Sequence, residues 1–562
     1  MPTSTYAGRP VPPSRLLQRV LASYTANGFS GGLAVLDAKR DLRGNVQNTI
    51  PEFTIKGYSG ATPSLILNFP EQMTGYVLNS TDGTLTTVNY STEATGGGAA
   101  GFGPQPTSVM AAPTAGIFVG AASSVGVLGL ASPYAKLNIY LPNVNKVVTN
   151  PSGTIILAMV RNSNELYRIV KLPQTGTPVR PYNAIDCEPV LLPIFCVVPV
   201  PNSNSAGIIG AAFDRPSDAI FSTDGTTVYI LNCGPECSGT TASVTVLQQA
   251  PLLATTVPPP TLPTTEPPVL QPLPVPNPIP VPGGDTIGLS DGTNLYLAGQ
   301  QLQPGGLLGG NLSVLNLTSY SVTATYTIAD GNHTRMLFAD DGTLWVGSQQ
   351  CTNGIRAAAA AAGVANQSAN TNCLSRTVPT YQYNAATNPT PPTILPVWEA
   401  KTVYNPGNKV CDTPSKLPNG YTVCDSGNVQ VAVQAGTSGA TAPTFAPALH
   451  QNTTDGGVKW INLGAVTPVQ IIPMVTPNFP TVGTTSPAIG VAYPNTDLSP
   501  VYYGTLYGEA WVQNLHKMYT AYGGQIHVFT TDDGYEIDNY NVTLQGTVLD
   551  VAYMDAESNS AN

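Results

Sequence analysis

Apolar and polar positions alternate along this chain in runs of four to eight residues, each closed by a cluster of Gly, Asn, Asp or Ser. That period of two marks half-buried β-strands. Thr223-Asp224-Gly225-Thr226-Thr227-Val228-Tyr229-Ile230-Leu231-Asn232 is the clearest unit. Asp-Gly tolerates the positive φ of a tight turn, and the β-branched and apolar run after it suits a pleated strand. Variants recur at Asn79–Thr84, Pro151–Leu157, Ser290–Leu297 and Asp340–Val346. A returning unit of this kind points to a repeat fold. Strands are also expected at Arg19–Tyr24, Leu33–Leu36 and Phe53–Lys56.

A strand carrying alternating Val or Leu recurs near Leu33, Leu85, Val125, Leu166, Val244, Leu312 and Ile526, with a degraded copy at Leu374–Val378. Its undisturbed period is about 40 residues, the length of a four-stranded propeller blade. The chain therefore reads as all-β: a seven- or eight-bladed β-propeller. Stacked sandwiches are the competing architecture. The last strand, Val548–Tyr553, lacks the rest of its blade, and the set that begins at Arg19 lacks its first strand. Joining the two would close the ring and remove two sheet edges.

Interruptions divide the chain. Residues 1–14 read as a flexible arm, 15–393 as the first part of the propeller, 394–466 as an inserted small β module, and 467–562 as the propeller's last part. Within the first part, 251–283 is a Pro-rich insertion; Pro251 to Pro282 alone holds 13 prolines. That density suits an extended polyproline-II path, either a stiff connector or a docking ligand. A run of alanines at Ala357–Ala362 predicts one or two helical turns.

Composition changes the picture in three ways. Of the 562 residues, 42% are hydrophobic and only 10% charged, so the chain can bury a large core and is not of disordered composition. The net charge of −10 is spread thinly, with no basic cluster; nucleic acid is not an expected partner. Eight cysteines form near-neighbour pairs, Cys187/Cys196, Cys233/Cys237, Cys351/Cys373 and Cys411/Cys424. Even number and local pairing suggest disulfides and an extracellular or cell-surface location, with zinc as the other reading at Cys233/Cys237. No signal peptide and no 18-residue apolar span are visible.

The propeller units, Thr223–Asn232 and Pro151–Ala158 above all, resemble the YVTN-type repeats of bacterial surface propellers. The inserted stretch reads Trp398-Glu399-Ala400-Lys401-Thr402-Val403-Tyr404-Asn405-Pro406-Gly407 and ends Asp455-Gly456-Gly457-Val458-Lys459-Trp460. It resembles small β modules of phage-tail and secreted bacterial proteins, and its start is similar to chitin-binding-type modules. The resemblance implies aromatic stacking on sugar rings by Trp398, Tyr404, Tyr421 and Trp460. A flat ring does offer an apolar face to a pyranose. The alternative is that the two tryptophans are simply the module's core.

Catalytic signatures are scarce. The four histidines, His333, His450, His516 and His527, show no metal spacing, and there is no nucleophile elbow or phosphate loop. Asp532–Asp538 is acidic enough for a calcium loop but also reads as a hairpin turn. No cofactor or metal is expected. These readings converge on an exported, non-enzymatic binding protein whose partner is a polysaccharide or cell-surface polymer. A self-associating subunit of a surface array or filament, and a propeller enzyme of lactonase or lyase type, are the alternatives.

Overall fold

The computed structural model describes residues 11–26, 30–41, 53–96, 100–103, 105–112, 116–129, 136–172, 180–181, 183–188, 194–201, 212–253, 277–303, 307–339, 344–349, 353–364, 374–378, 398–416, 422–423, 427–465, 488–491, 506–513, 515–531, 544 and 546–556. They are nearly all β, in antiparallel sheets, with propeller character.

Eight of the sheets begin with a strand that has only one partner. These first strands are Pro63–Phe69, Pro106–Ala112, Val144–Thr149, Pro216–Phe221, Ile287–Ser290, Asn332–Phe338, Leu506–Val512 and Thr547–Tyr553. From each, the sheet runs outward through a second and a third strand. The repeated Val/Leu positions all fall on third strands: Leu33 in Ser30–Asp37, Leu85 in Thr84–Asn89, Val125 in Ser124–Leu128, Leu166 in Leu166–Lys171, Val244 in Ser243–Gln248, Leu312 in Leu308–Asn316, Ile526 in Gln525–Thr530 and Leu374 in Leu374–Val378. The 40-residue period is thus the period of one sheet.

The Asp-Gly unit is a hairpin turn between Pro216–Phe221 and Thr227–Asn232. Gly225 has φ +72°, which a side chain would strain. The Asp224 carboxylate accepts from Ser222 Oγ at 2.6 Å and Thr226 N at 3.0 Å, an Asx-type bracing of the turn.

The chain ends meet in one sheet. Thr547–Tyr553 pairs with Arg19–Ala26, which pairs with Ser30–Asp37. Arg19, fully buried, ties this seam together. Its side chain donates to both Asp555 carboxylate oxygens, at 2.7 and 3.0 Å, and to Glu93 Oε1 at 2.9 Å. Ser14 N and Oγ also donate to Glu93, at 2.8 and 2.5 Å, so the end of the predicted arm is anchored. Residues 1–10 lie outside the described set.

Apolar side chains fill the spaces between neighbouring sheets. One such layer packs Phe118, Val125 and Ile139 against Val147, Ile156 and Tyr167. Each first strand also touches the first strand before and after it in chain order, and Leu506–Val512 and Pro63–Phe69 both touch Thr547–Tyr553.

Two expectations are corrected. The Pro-rich insertion is shorter than 251–283: Ile279–Pro280 forms the outer strand beside Ser243–Gln248. Asn277 fixes that approach by bonding Val246 N and O, both at 3.0 Å. Phe53–Lys56 is no full strand, only isolated bridges such as Ala34 to Thr54. The alanine run does lie in a helix, Asn353–Ala361.

Disulfides join Cys187 to Cys196 and Cys233 to Cys237, which excludes zinc at the latter pair. Cys411 is also disulfide-bonded; Cys424, Cys351 and Cys373 lie outside the described residues. No helix among the described residues is long and apolar enough to cross a membrane. These facts are compatible with an exported protein.

Between Leu374–Val378 and its partner Ala488–Val491, the chain forms another sheet, ordered Lys409–Cys411, Asn428–Gln434, Val458–Ala465, Asn452–Asp455. Its strands pair only with one another.

Candidate functional site

The aromatic residues singled out in the sequence are placed in or against a core. Trp460 is fully buried, and Tyr404 is 6% exposed. Their rings meet edge to face at 4.8 Å, and Phe445 also packs edge to face on Trp460 at 5.9 Å. Trp398, half-buried, packs on the same cluster. The indole N–H groups of Trp398 and Trp460 both donate to Asp455 Oδ2, at 2.7 and 3.1 Å. Tyr404 Oη accepts from Glu399 N at 2.8 Å. Trp460 and Tyr404 therefore have no free face for a sugar ring; a module this small closes its core with its largest side chains. Tyr421 and the acidic stretch Asp532–Asp538 lie outside the described residues.

A different set of residues lies near the starts of the first strands. Seven of the eight first strands slip by one residue against their neighbours near their starts, at Pro63/Leu65, Pro106/Ser108, Val144/Lys146, Pro216/Asp218, His333/Arg335, Leu506/Gly508 and Val548/Asp550. A bulge re-aims the side chain that follows it. Two of these side chains cap a backbone N–H of the next sheet. Ser108 Oγ accepts Val147 N at 3.0 Å, and Asp550 Oδ2 accepts Ile66 N at 2.7 Å. Each satisfies a backbone donor on the open edge of a first strand.

Four positions of this set are charged. Lys146 Nζ meets Asp218 Oδ2 at 2.6 Å, and Arg335 Nη2 meets Asp550 Oδ2 at 2.9 Å. In both pairs the carboxylate is buried while the cation keeps a face open, 31% for the Lys146 side chain and 26% for Arg335. Both carboxylates also accept the next backbone N–H, Ala219 at 2.8 Å and Val551 at 2.9 Å. Arg335 must pass an intervening strand to reach Asp550. The Asp550 carboxylate lies over Gly508 of that strand, where a Cβ would overlap its Oδ1.

Glu509, next to that glycine, is different. It is 6% exposed, and neither carboxylate oxygen has a hydrogen-bond partner. Its Oε1 lies over Gly347, where a Cβ would overlap it and would also sit 3.3 Å from Arg335 Cβ. Burial pushes its pKa up to about 8, with Arg335 opposing. Desolvation of the ionised form outweighs the nearby positive charge. Burial raises Asp550 as well, against the pull of Arg335 and the backbone N–H groups of Ile66 and Val551.

A second set of buried polar groups lies at the entries of two neighbouring first strands. Glu236, in the loop closed by Cys233 and Cys237, accepts from Gln300 N at 2.7 Å and Gln300 Nε2 at 3.1 Å. Burial nevertheless lifts it to about 7. Asp285 is fully buried, its two carboxylate oxygens have no partner, and burial followed by Glu236 holds it well above the carboxylate range. His333 is buried with Nε2 on Ala329 O at 2.7 Å, and burial pushes it down to about 4, so its ring is neutral. Among the described residues no three His, Cys, Asp or Glu side chains are grouped to hold a metal ion.

The cavity lined by Ile155, Arg168, Lys171 and Leu252, about 310 Å³, includes none of the charged first-strand residues. The unpartnered buried carboxyls are the costlier feature, since a buried polar group without a hydrogen bond is unfavourable. Sequence reading missed Lys146, Asp218, Arg335, Glu509 and Asp550. One signal was available: in a chain this poor in charge, each interrupts an otherwise apolar or small-residue strand.

No family model matches the chain. No curated protein matches it either. Among solved structures it is similar to a proposed 6-phosphogluconolactonase from Bacteroides uniformis, at 12% identity over 59% of this chain and 89% of the other, TM-score 0.35. The periplasmic gluconolactonase PpgL of Pseudomonas aeruginosa is 14% identical over 59% of this chain and 92% of its own, TM-score 0.32. The β-propeller domain of Cps50 (Swd1) from Myceliophteria thermophila is 9% identical over 51% and 80%, TM-score 0.33. At such identities the likeness concerns the fold. The expectation of a non-enzymatic binding protein is corrected here. Two of these structures are named as lactonases, and of the rings that carried the binding reading Trp460 and Tyr404 are core.

Proposed function

We propose that the chain is a closed, eight-bladed propeller enzyme that opens small anionic lactones at the meeting point of its first strands. Contacts between consecutive first strands and the pairing of Thr547–Tyr553 with Arg19–Ala26 support the ring. The self-contained sheets of 398–465 support a module inserted between the third and fourth strands of the blade that begins with Asn332–Phe338. The lactonase names borne by similar structures agree with this reading without carrying it.

The observation that carries it is Arg335, a guanidinium with a quarter of its side chain open, held by Asp550 and standing beside the partnerless carboxyl of Glu509. Guanidinium binds carboxylate, phosphate or a developing oxyanion through directed N–H groups. Lys146 offers a second open cation. In the reaction, water adds to the lactone carbonyl, the ring C–O bond breaks, and a hydroxycarboxylate and one proton are released. Arg335 stabilises the oxyanion.

A pH-stat assay tests this. Six-membered aldonic lactones, with and without a phosphate, are followed by base uptake against the spontaneous rate. Acceleration by the intact protein, lost in Arg335→Met, is the expected result. Hydrolysis no faster than in buffer sinks the reading.

A further inference from the structure

Resting on that reading, we propose that Glu509 is a positioning residue: the Arg335 guanidinium is shared between Asp550 and Glu509, and the charge on Glu509 sets how strongly Arg335 binds an anion. The geometry singles it out. The strands that carry Arg335 and Asp550 both pack against the strand that carries Glu509. Asp550 already holds the guanidinium at 2.9 Å and accepts two backbone N–H groups. Glu509 has two empty oxygens beside the same side chain. A buried acceptor without a donor points to a second state in which it is used.

Few other charges bear on Glu509. The strand Leu344–Gln349 faces it with Gly347 and carries no titratable group. Across the sheet it stands opposite Thr520, and the Lys517 and Tyr519 side chains of that strand are both bonded to Asp41. His333, on the strand of Arg335, is bonded to Ala329 O. Arg335 is thus the charge that bears on Glu509, and Asp550 is linked to it through Arg335. While Glu509 is protonated, Arg335 keeps its full charge toward an incoming anion. Once ionised, Glu509 competes for the guanidinium and cancels that charge.

The test uses sulfate, which stays a dianion throughout, with the full-length protein in a calorimeter from pH 6 to 10. Sulfate affinity is expected to fall about tenfold as pH rises through about 8, the size of one added charge screened at a protein surface. Glu509→Gln should bind as the wild type does at pH 6 and stay flat to pH 10. An inflection that survives in Glu509→Gln overturns the proposal, as does a wild-type curve without one. Should the variant fail to fold, the infrared band of a protonated buried carboxyl in the wild type decides. The band must disappear between pH 7 and 9, in step with the loss of sulfate binding. The two readings fail separately. Lactone hydrolysis with pH-independent sulfate binding removes the role of Glu509 alone. No hydrolysis with the inflection present removes the enzyme reading alone. No sulfate binding at any pH removes both.

Discussion

Lys146–Asp218 and Arg335–Asp550 are built on the same plan and end differently. Each pair joins side chains that follow a bulge, and each carboxylate also accepts the next backbone N–H. Lys146 reaches a partner on the following sheet, and no orphaned carboxylate adjoins it among the described residues. Arg335 reaches a sheet one further round, where the Asp550 carboxylate lies over Gly508, and Glu509 waits beside it unpaired. Side by side, the pairs separate scaffold from site. A first-strand ion pair whose groups are all used is what the fold requires. A surplus buried carboxyl at the same level is what the fold does not require.

The largest effect should come from removing Asp550. Asp550→Ala strands the Ile66 and Val551 N–H groups and a largely buried guanidinium, a loss of about 3 kcal/mol by analogy with broken buried pairs. Asp218→Ala should cost only about 1 kcal/mol, since Lys146 can extend into solvent. Urea unfolding midpoints of the two variants give the comparison; equal losses would break it. Adding Glu509→Gln to Asp550→Ala should deepen the loss, because Glu509 can no longer take over Arg335.

A smaller effect is set by pH. Glu509 has a folded value near 8, above its ordinary 4.5. Its contribution is therefore fully present below about 4.5, declines as pH rises, and is lost above about 8, a change on the order of a few kcal/mol. The Lys146–Asp218 side has no such group. Wild-type stability should fall between pH 5 and 9 more steeply than that of Glu509→Gln, measured by urea unfolding at both ends. Parallel curves would show that the carboxyl is not protonated in the fold.

How much of this the sequence displayed depends on the range of the interaction. The strand period was visible because side-chain alternation and Asp-Gly turns are local. Leu33 through Ile526 therefore mark third strands, and even the degraded copy at Leu374 belongs. The Pro-rich boundary was misplaced because Ile279–Pro280 becomes a strand only through the side chain of Asn277 and the edge of Ser243–Gln248. Trp460 and Tyr404 looked like ligand-binding rings because a motif shows residue type and spacing, not which face is covered. The charged site was hidden more deeply. Arg335 and Asp550 are 215 residues apart, and the bulges that aim them leave no mark on the hydrophobic pattern.

The smallest effect tests whether the bulge positions share one structural role. Ser108 follows a bulge as Asp218 and Asp550 do, but it is neutral and donates or accepts without a counter-ion. Its Oγ accepts Val147 N at 3.0 Å, as Asp550 Oδ2 accepts Ile66 N. If the common function of these positions is to satisfy the open edge of the next first strand, Ser108→Ala should cost about 1 kcal/mol, the worth of one buried hydrogen bond. The loss should not vary with pH or salt, because no charge is involved. Amide exchange at Val147 should quicken, while exchange at Ile66 stays as it was. A loss that depends on salt, or quickening at both amides, would mean that the edges are held by the charged pairs and that Ser108 is incidental. An isolated change at Val147 would leave capping to the bulges and place the surplus charge at Glu509 outside the needs of the fold.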